Sequence, residues 1–292
     1  MSNAQRSLFR IPESLKPHYR QWSTPGFEGW VDGALFDKLA PDQVSKPRHL
    51  FKLPGAQVVR DRRNLTAKVS IGDWPVWIKL FRPSDTLDRL LYARRSGKAV
   101  YAWNAAMALM KAGFCTPRPL IGLRRTGREG GAEGIVAFED LGGHVSLARL
   151  LADESPDTAA HAKLMFALGE CLRSFHDHGF RHRDLRRGNI LVAHSGDGWS
   201  FCFLDLNRLR IQRRLNSMQR LREVEKLNLP VLDLPTFFDA YMPDENSARM
   251  AETYRDRVEY ADHLEHLPQG RMVRKAWYYA WELRTFSFAR RP

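Results

Sequence analysis

The segment that decides the interpretation of this chain is His182-Arg183-Asp184-Leu185-Arg186-Arg187-Gly188-Asn189-Ile190-Leu191-Val192. It follows residues 157–178, where apolar side chains recur at helical spacing, and it ends in an apolar run typical of a buried strand. A carboxylate, Asp184, and an amide, Asn189, are therefore expected on a loop between a long helix and a strand.

Two other segments place a charged residue at the end of an apolar strand. The run 201–204 ends in Asp205, which Leu206 and Asn207 follow, and Val76-Trp77-Ile78 leads into Lys79. By itself, an aspartate after a strand is usually a turn residue and a strand lysine usually faces solvent. However, a lysine within an apolar strand lowers stability unless its charge is paired, which favours a functional role for Lys79. The carboxylate of Asp205 is in turn a suitable ligand for Mg²⁺.

Together the three segments resemble the motifs of the protein-kinase-like superfamily. The first matches the pattern H-R-D-L-x-x-x-N at every fixed position, while Lys79 and Asp205 stand where the phosphate-binding lysine and the metal-binding aspartate would be. The resemblance implies a kinase-like bilobal α+β fold, with a small five-stranded antiparallel N-lobe and a larger helical C-lobe. It also implies ATP and Mg²⁺ as cofactors.

The resemblance assigns a role to each matching residue. Asp184 would be the catalytic base, and Arg186 would steady the transferring phosphate. Asn189 and Asp205 would bind Mg²⁺, Lys79 would hold the α- and β-phosphates, and the backbone from Glu139 to Leu141 would meet adenine.

More narrowly, the chain resembles the lipopolysaccharide kinase (Kdo/WaaP) family over roughly residues 55–245. The narrower match rests on Gly113-Phe-Cys-Thr-Pro-Arg-Pro-Leu120, the catalytic loop, Asp205-Leu-Asn-Arg208 and Phe237-Phe-Asp-Ala-Tyr241. It implies ATP-dependent phosphorylation of a sugar hydroxyl, on heptose or Kdo, in the inner core of lipopolysaccharide. The acceptor would be the core glycolipid, at the cytoplasmic face of the inner membrane, with peripheral contact to that membrane.

The chain departs from the kinase pattern in two places. No G-x-G-x-x-G precedes Lys79, and no glutamate lies between Glu28 and Glu129 to pair with that lysine. Asp61, Asp85 or Asp88 could supply the missing carboxylate. Asn207 replaces the glycine of D-F-G, and asparagine tolerates a left-handed backbone.

Composition restricts the class of protein. The 292 residues include 46 Lys+Arg and 33 Asp+Glu, a formal net charge of +13, which suits an anionic partner. No apolar run approaches the ~18 residues of a membrane span, and the first ten residues lack a signal-peptide core, so membrane-spanning and secreted classes are disfavoured. Cys115, Cys171 and Cys202 are predicted to be separate, buried thiols.

The chain is predicted to contain an N-terminal extension at residues 1–49, an N-lobe at 50–140 and a helical C-lobe at 141–292. Five prolines lie within the first 47 residues, so the extension is predicted to be irregular. Strands are predicted at 57–60, 65–71, 76–81, 120–124 and 134–138. Helices are predicted from Ser84 and over 96–112.

Other functions stay open. A small-molecule kinase of the aminoglycoside or choline type usually has an acidic acceptor pocket, which the arginines near Asp184 argue against. A pseudokinase or basic binding protein is kept open by the missing glutamate, while binding to nucleic acid is disfavoured.

Two clusters outside these motifs have competing interpretations. His176, His178 and His182 are read as structural rather than as a metal site. Val273, Trp277, Trp281 and Phe288 share one face of a C-terminal helix with basic neighbours, which suits packing into the helical lobe better than a membrane interface.

Overall fold

The computed structural model describes residues 8–62, 64–82, 97–126, 133–152, 158–196, 198–268 and 270–288. The chain divides into two compact units. The first comprises Met1–Ala152, Phe180–Asp184 and Gly188–Gln212, and the second comprises Asp153–Gly179, Leu185–Arg187 and Arg213–Pro292. The predicted boundaries at 49/50 and 140/141 do not coincide with the limits of these units, and as domain boundaries they stay a prediction.

The strands of the described residues all lie in the first unit. They are β1 (Tyr19–Thr24), β2 (Phe27–Asp32), β3 (Gln57–Asp61), β4 (Asn64–Ile71), β5 (Trp74–Phe81), β6 (Pro119–Arg125), β7 (Gly134–Glu139), β8 (Val145–Ser146), β9 (Phe180–Arg181), β10 (Ile190–Ser195), β11 (Gly198–Phe203) and β12 (Arg210–Ile211).

The helices occur in both units. They are α1 (Gly33–Phe36), α2 (Pro41–Ser45), α3 (Gly97–Lys111), α4 (Leu147–Leu150), α5 (Thr158–Asp177), α6 (Ser217–Val224), α7 (Leu234–Tyr241), α8 (Ser247–Glu265) and α9 (Arg271–Phe288). Short 3₁₀ turns lie at Lys16–His18, Pro47–Lys52, Arg187–Asn189, Leu206–Arg208, Glu225–Leu227 and Val231–Asp233.

The first unit is built on one antiparallel sheet of seven strands, in the order β1-β2-β6-β7-β5-β4-β3. Its core includes the buried side chains of Val31, Ile78 and Ile121. Helix α3 packs on β6 and β7, and its Trp103 is fully buried. The sheet therefore supplies a rigid frame for β5, the strand that carries Lys79.

The five predicted strands are present as β3 to β7, but the prediction of an irregular extension is wrong, because β1 and β2 form a hairpin that pairs with β6 and brings the sheet to seven strands. The prolines do not interrupt these strands. Pro25 lies in the turn between them, with Thr24 opposite Phe27, and Pro41 and Pro47 begin helical turns. The hairpin is anchored by Trp22, whose buried indole donates to the carbonyl of Val44 at 3.0 Å.

The other predicted strands agree with the structure to within one or two residues. The predicted helix over 96–112 corresponds to α3, Gly97–Lys111, and the one over 157–178 corresponds to α5, Thr158–Asp177. The predicted helix from Ser84 falls outside the described residues.

The prediction of separate cysteines is wrong for two of the three. Cys115 and Cys202 are joined by a disulfide that closes 87 residues of chain, and the amide of Phe203 donates to the carbonyl of Cys115 at 3.0 Å. No spacing rule reveals this pairing, because the two cysteines meet only when the segment after α3 lies beside β11. Cys171 is a free thiol, and burial raises its pKa to about 12.

The second unit is a helical assembly around α5 and α7. Gly169 of α5 permits close packing, since a Cβ there would lie 2.5 Å from the carbonyl oxygen of Phe237. The buried Nδ1 of His176 lies 2.6 Å from the hydroxyl of Tyr241, and burial raises the pKa of this tyrosine well above its usual value.

Among the described residues, no helix is both long enough and apolar enough to cross a membrane.

The disulfide predicts the number of reactive thiols. In protein purified and denatured without reductant, alkylation is expected to modify Cys171 alone, and reduction is expected to expose all three cysteines, as mass spectrometry would show. A Cys171→Ala variant should then have no reactive thiol before reduction. Because the bridge closes a long loop, Cys115→Ser is expected to lower the free energy of unfolding by about 2–5 kcal/mol. Three modified thiols before reduction would contradict the bridge.

Candidate active site

A cavity of about 490 Å³ lies within the first unit. Its lining comes from β3, β4, β5 and β7, from the segment after β7, and from the residues around β10 and the end of β11. It includes Arg60, Thr66, Lys79, Glu139, Asp140, Leu141, His144, Asn189, Leu191, Asp205 and Leu206. Five of the seven site residues expected from the sequence thus line one cavity, namely Lys79, Glu139, Leu141, Asn189 and Asp205.

Lys79 lies between two buried neighbours on β5, Ile78 and Leu80, and its ammonium group extends to Asp205. The distance from Nζ to the Asp205 Oδ1 is 2.7 Å. The Lys79 ammonium also lies 5.1 Å from the centre of the Phe81 ring, on the same face of the strand. The β5 cation is therefore paired, as its apolar surroundings require.

Among the described residues the carboxylate that contacts Lys79 is Asp205, which corrects the expectation for Asp61. Asp61 instead accepts a hydrogen bond from Arg82 at 2.7 Å, and Asp85 and Asp88 fall outside the described residues. The sequence suggested a carboxylate nearby in the chain, because in protein kinases this lysine pairs with a glutamate on a helix of the small lobe. The actual carboxylate is 126 positions away.

Asp205 is held in a strained conformation by its own neighbours. Its backbone is left-handed, with φ 53°, and Asn207 Nδ2 donates to the same Oδ1 that contacts Lys79, at 2.7 Å. Asn207 can tolerate a left-handed backbone, but among these residues it is Asp205 that adopts one. Aspartate is among the residues that visit this region, and such strain is common where a side chain must be aimed.

The catalytic-loop segment is braced by His182, which is fully buried. Its Nε2 lies 2.8 Å from the carbonyl oxygen of Leu204 and donates a hydrogen bond to it. Its Nδ1 accepts from the amide of Asp184 at 3.3 Å. Because Nε2 donates a hydrogen bond and Nδ1 accepts one, the imidazole is neutral. These two hydrogen bonds link the backbone of Asp184 to that of Leu204, the residue before Asp205.

The structural reading of the three histidines agrees with these contacts. His176 contacts Tyr241, and His178 Nδ1 lies 2.8 Å from the carbonyl oxygen of Ser174. In the part of the chain that the structure describes, no group of three or more His, Cys, Asp and Glu residues could hold a metal ion.

Asn189 joins the catalytic loop to the end of β11. Its Nδ2 donates to the carbonyl oxygen of Asp184 at 2.8 Å, and its own carbonyl oxygen accepts from the amide of Leu204 at 2.9 Å. Asp184 itself is not among the described residues that line the cavity, but two of its backbone groups are tied to Asn189 and His182.

Asn189 and Asp205 each present one side-chain oxygen that could bind Mg²⁺. Within the described residues, Asn189 Oδ1 and Asp205 Oδ2 take part in no hydrogen bond, while the other polar atom of each side chain is engaged. Mg²⁺ takes hard oxygen ligands and is usually held by one or two carboxylates together with phosphate oxygens. The two uncommitted oxygens on one cavity fit such an ion.

The segment from Glu139 to Leu141 borders the same cavity at the end of β7. Arg118 N donates to Glu139 Oε1 at 2.8 Å. Partial burial opposes ionisation of Asp140, but hydrogen bonds from Lys68 and Trp77 outweigh it and hold its pKa below the usual value. Among the described residues the amide of Leu141 donates to no backbone carbonyl, so it remains able to donate to a ligand.

Arg186 is, after Asp184, the second expected site residue that does not line this cavity. It belongs to the second unit and is exposed.

Thr66 and His144 also line the cavity, although neither was predicted from the sequence. Thr66 could have been found, because it lies directly opposite Lys79 once β4 and β5 are paired across the turn at Gly72 and Asp73. His144 follows Gly142 and Gly143, and no periodic signal precedes it.

The Lys79–Asp205 pair is expected to contribute little to stability, because its side chains are 20% and 34% exposed and solvent screens their attraction. A double-mutant cycle with Lys79→Met and Asp205→Asn should give a coupling in the unfolding free energy below about 1 kcal/mol, measured in urea. The Arg82–Asp61 pair provides a reference cycle. A coupling of about 3 kcal/mol or more would instead identify a buried pair.

A model of the lipopolysaccharide kinase (Kdo/WaaP) family matches residues 86–254. Among solved structures, WaaP in complex with acyl carrier protein is similar, with a TM-score of 0.54 and 18% sequence identity, covering 72% of this chain and 93% of that chain. This likeness shows a shared kinase-like fold of mixed helix and sheet. No curated protein matches. Because the family match extends over more than half of the 292 residues, the chain belongs to the lipopolysaccharide kinase (Kdo/WaaP) family.

Proposed function

We propose that this kinase transfers a phosphoryl group from ATP to a sugar hydroxyl, on heptose or Kdo, of the lipopolysaccharide inner core. The observation that carries the proposal is the convergence of Lys79, Asn189 and Asp205 on one cavity of about 490 Å³. Membership of the family supplies the class of acceptor.

The roles of the site residues follow from their chemistry. Lys79 binds the α- and β-phosphates as a cation already placed at the cavity wall. Asn189 and Asp205 hold Mg²⁺, which neutralises charge on the phosphates when it is bound. Lys79 then exchanges part of its contact with Asp205 for phosphate oxygens, while Asn207 keeps the Asp205 carboxylate in place.

The nucleotide base lies beside the residues that follow β7. The backbone from Glu139 to Leu141 borders the cavity, and the uncommitted Leu141 amide can donate to an acceptor nitrogen of adenine. The cavity is also lined by apolar residues, including Val136 and Leu191, which exclude water from the flat faces of the base.

Asp184 accepts the proton of the attacking sugar hydroxyl. A positioned general base contributes typically ~10²–10⁴ in rate. Its backbone is fixed by hydrogen bonds to His182 and Asn189, so the carboxylate is carried by a rigid loop. Arg186, two positions later in the chain, steadies the transferring phosphate as a cation.

The acceptor is proposed to be an anionic glycolipid at the cytoplasmic face of the inner membrane. The net charge of +13 favours such a partner. The WaaP of known structure was solved with acyl carrier protein, and a carrier protein is therefore the other partner to be compared in binding tests.

The two alternative functions are less well supported. An aminoglycoside or choline kinase needs a cationic acceptor, which the arginines on either side of Asp184 in the sequence repel. A pseudokinase was kept open by the missing glutamate, but Lys79 has a carboxylate partner without it.

The base assignment predicts the effect of Asp184→Asn. Purified protein is incubated with Mg-ATP and dephosphorylated core lipopolysaccharide, and the added phosphate is measured by mass spectrometry. We expect the rate to fall by about 10²-fold or more, because the amide accepts no proton, while ATP affinity stays within a few-fold of wild type. Asp73→Asn, a surface carboxylate paired with Lys38, is the matched control. Equal transfer by wild type and Asp184→Asn would refute the proposal.

The metal assignment predicts a changed Mg²⁺ requirement. Asn189→Ala and Asp205→Asn each remove or weaken one oxygen ligand, so the Mg²⁺ concentration for half-maximal transfer should rise by about tenfold or more. Asp61→Asn removes a carboxylate that pairs with Arg82 and should leave this concentration unchanged. An unchanged Mg²⁺ dependence in both site variants would exclude these two residues as ligands.

A further inference from the structure

Helix α9 is attached to the second unit through its polar face. Glu282 is almost fully buried, and it forms ion pairs with Arg257, at 2.7 Å, and with Arg222. Tyr278 donates to Glu225 Oε2 at 2.5 Å, and burial raises the pKa of this tyrosine. The side of α9 that faces protein therefore carries a glutamate and a tyrosine hydroxyl within a network of charges.

The opposite side of α9 is apolar and exposed to solvent. Met272 is 86% exposed, and Val273, Trp277 and Tyr279 are 44%, 43% and 38% exposed. Ala276 and Ala280 lie on the same exposed side. A surface helix normally buries its apolar stripe and exposes its charges, and α9 has the reverse arrangement. An exposed apolar patch of this kind marks an interaction surface.

This observation corrects the preference for packing of the C-terminal aromatic stripe. Trp281 does pack within the unit, stacked on Tyr260 at 4.5 Å, but Val273 and Trp277 do not share that burial. The stripe is divided because α9 is oriented by the ion pairs of Glu282, and these place positions 273 and 277 outward.

The charges of α9 select the kind of partner. The sequence of the helix contains four basic residues, Arg271, Arg274, Lys275 and Arg284, and one acidic residue, Glu282. Glu282 is paired inside the unit, and Arg274 Nη1 donates to the carbonyl oxygens of Glu265 at 2.8 Å and Leu267 at 3.2 Å, so both of these charges are engaged by the protein. Lys275 is exposed, and its ammonium lies 5.7 Å from the ring of Tyr279, at the edge of the apolar surface.

We propose that the outward face of α9 inserts into the headgroup region of an anionic phospholipid bilayer. The face combines Met272, Val273, Trp277 and Tyr279 with the exposed ammonium of Lys275 at its edge. An amphipathic helix that lies in a bilayer interface buries its apolar side ~5–10 Å deep. The 18 residues give it a length of about 27 Å. The inference rests on the proposed function in one respect, since a glycolipid acceptor is itself held in a membrane.

The test is flotation of the full-length protein with lipid vesicles. Vesicles of phosphatidylglycerol mixed with phosphatidylcholine should bind the protein, and vesicles of phosphatidylcholine alone should bind it much less. Higher salt should weaken the binding. The double variant Met272→Ser/Trp277→Ser should bind about tenfold more weakly, because two inserted apolar side chains are lost. Lys275→Glu should also weaken binding to the anionic vesicles.

The matched control is Val231→Ser/Leu232→Ser in the same unit. These two apolar side chains are 55% and 93% exposed and lie outside α9, so this variant should bind vesicles as wild type does. All substituted positions are exposed, and unchanged thermal midpoints would confirm that the variants are folded.

Several results would overturn the inference. They are the absence of wild-type binding to anionic vesicles, equal loss of binding in the control, or undiminished binding of the α9 variants. Binding of acyl carrier protein or self-association through α9, with no vesicle binding, would assign the face to a protein partner and equally refute the bilayer.

Failure of the proposed function is distinguished by a second assay. Phosphate transfer to a soluble, delipidated core oligosaccharide needs no membrane, so the α9 variants should retain wild-type rates in it. If wild type shows no transfer but binds vesicles through α9, the kinase proposal fails and the membrane surface stands.

Discussion

The contact between Lys79 and Asp205 is the interaction on which the arrangement of the first unit's cavity depends. It joins β5 of the seven-stranded sheet to the turn after β11, across 126 positions of sequence. The turn is held from three other sides. The disulfide fixes Cys202 to Cys115, the buried hydroxyl of Thr116 donates to the carbonyl oxygen of Phe203 at 2.8 Å, and His182 donates to Leu204. The Lys79 ammonium, which extends from a strand with buried neighbours, thus has a carboxylate partner at 2.7 Å.

Two residues of the site have strained backbone conformations, and hydrogen bonds from a buried side chain hold the neighbouring backbone in place. Arg183 and Asp205, one beside Asp184 and the other paired with Lys79, both have positive φ, which costs roughly 1–2 kcal/mol for a residue with a side chain. Neutral His182 supports both segments because it accepts from Asp184 and donates to Leu204. The ion pair itself is partly exposed, so its contribution is to orientation rather than to the stability of the fold.

In the second unit, buried ion pairs rather than apolar contacts orient the last helix, α9. Arg257 is fully buried and is shared by Glu225 and Glu282. Breaking such a network would leave a buried charge without its partner, which is costly, so the orientation of α9 is well determined. The consequence is an exposed apolar face with the ammonium of Lys275 at its edge.

The sequence by itself determined the motif residues, the strands from β3 to β7, the helices α3 and α5, and the family, because these depend on local spacing and on a string that chance rarely produces. It could not determine the partner of Lys79, the Cys115–Cys202 bridge or the hairpin of β1 and β2. Each of these joins residues far apart in the chain, and residues such as Pro25 signal a break in structure without showing that a strand lies on either side. Only the tertiary structure decided which face of α9 is exposed, since helical periodicity shows that faces exist but the buried ion pairs choose between them.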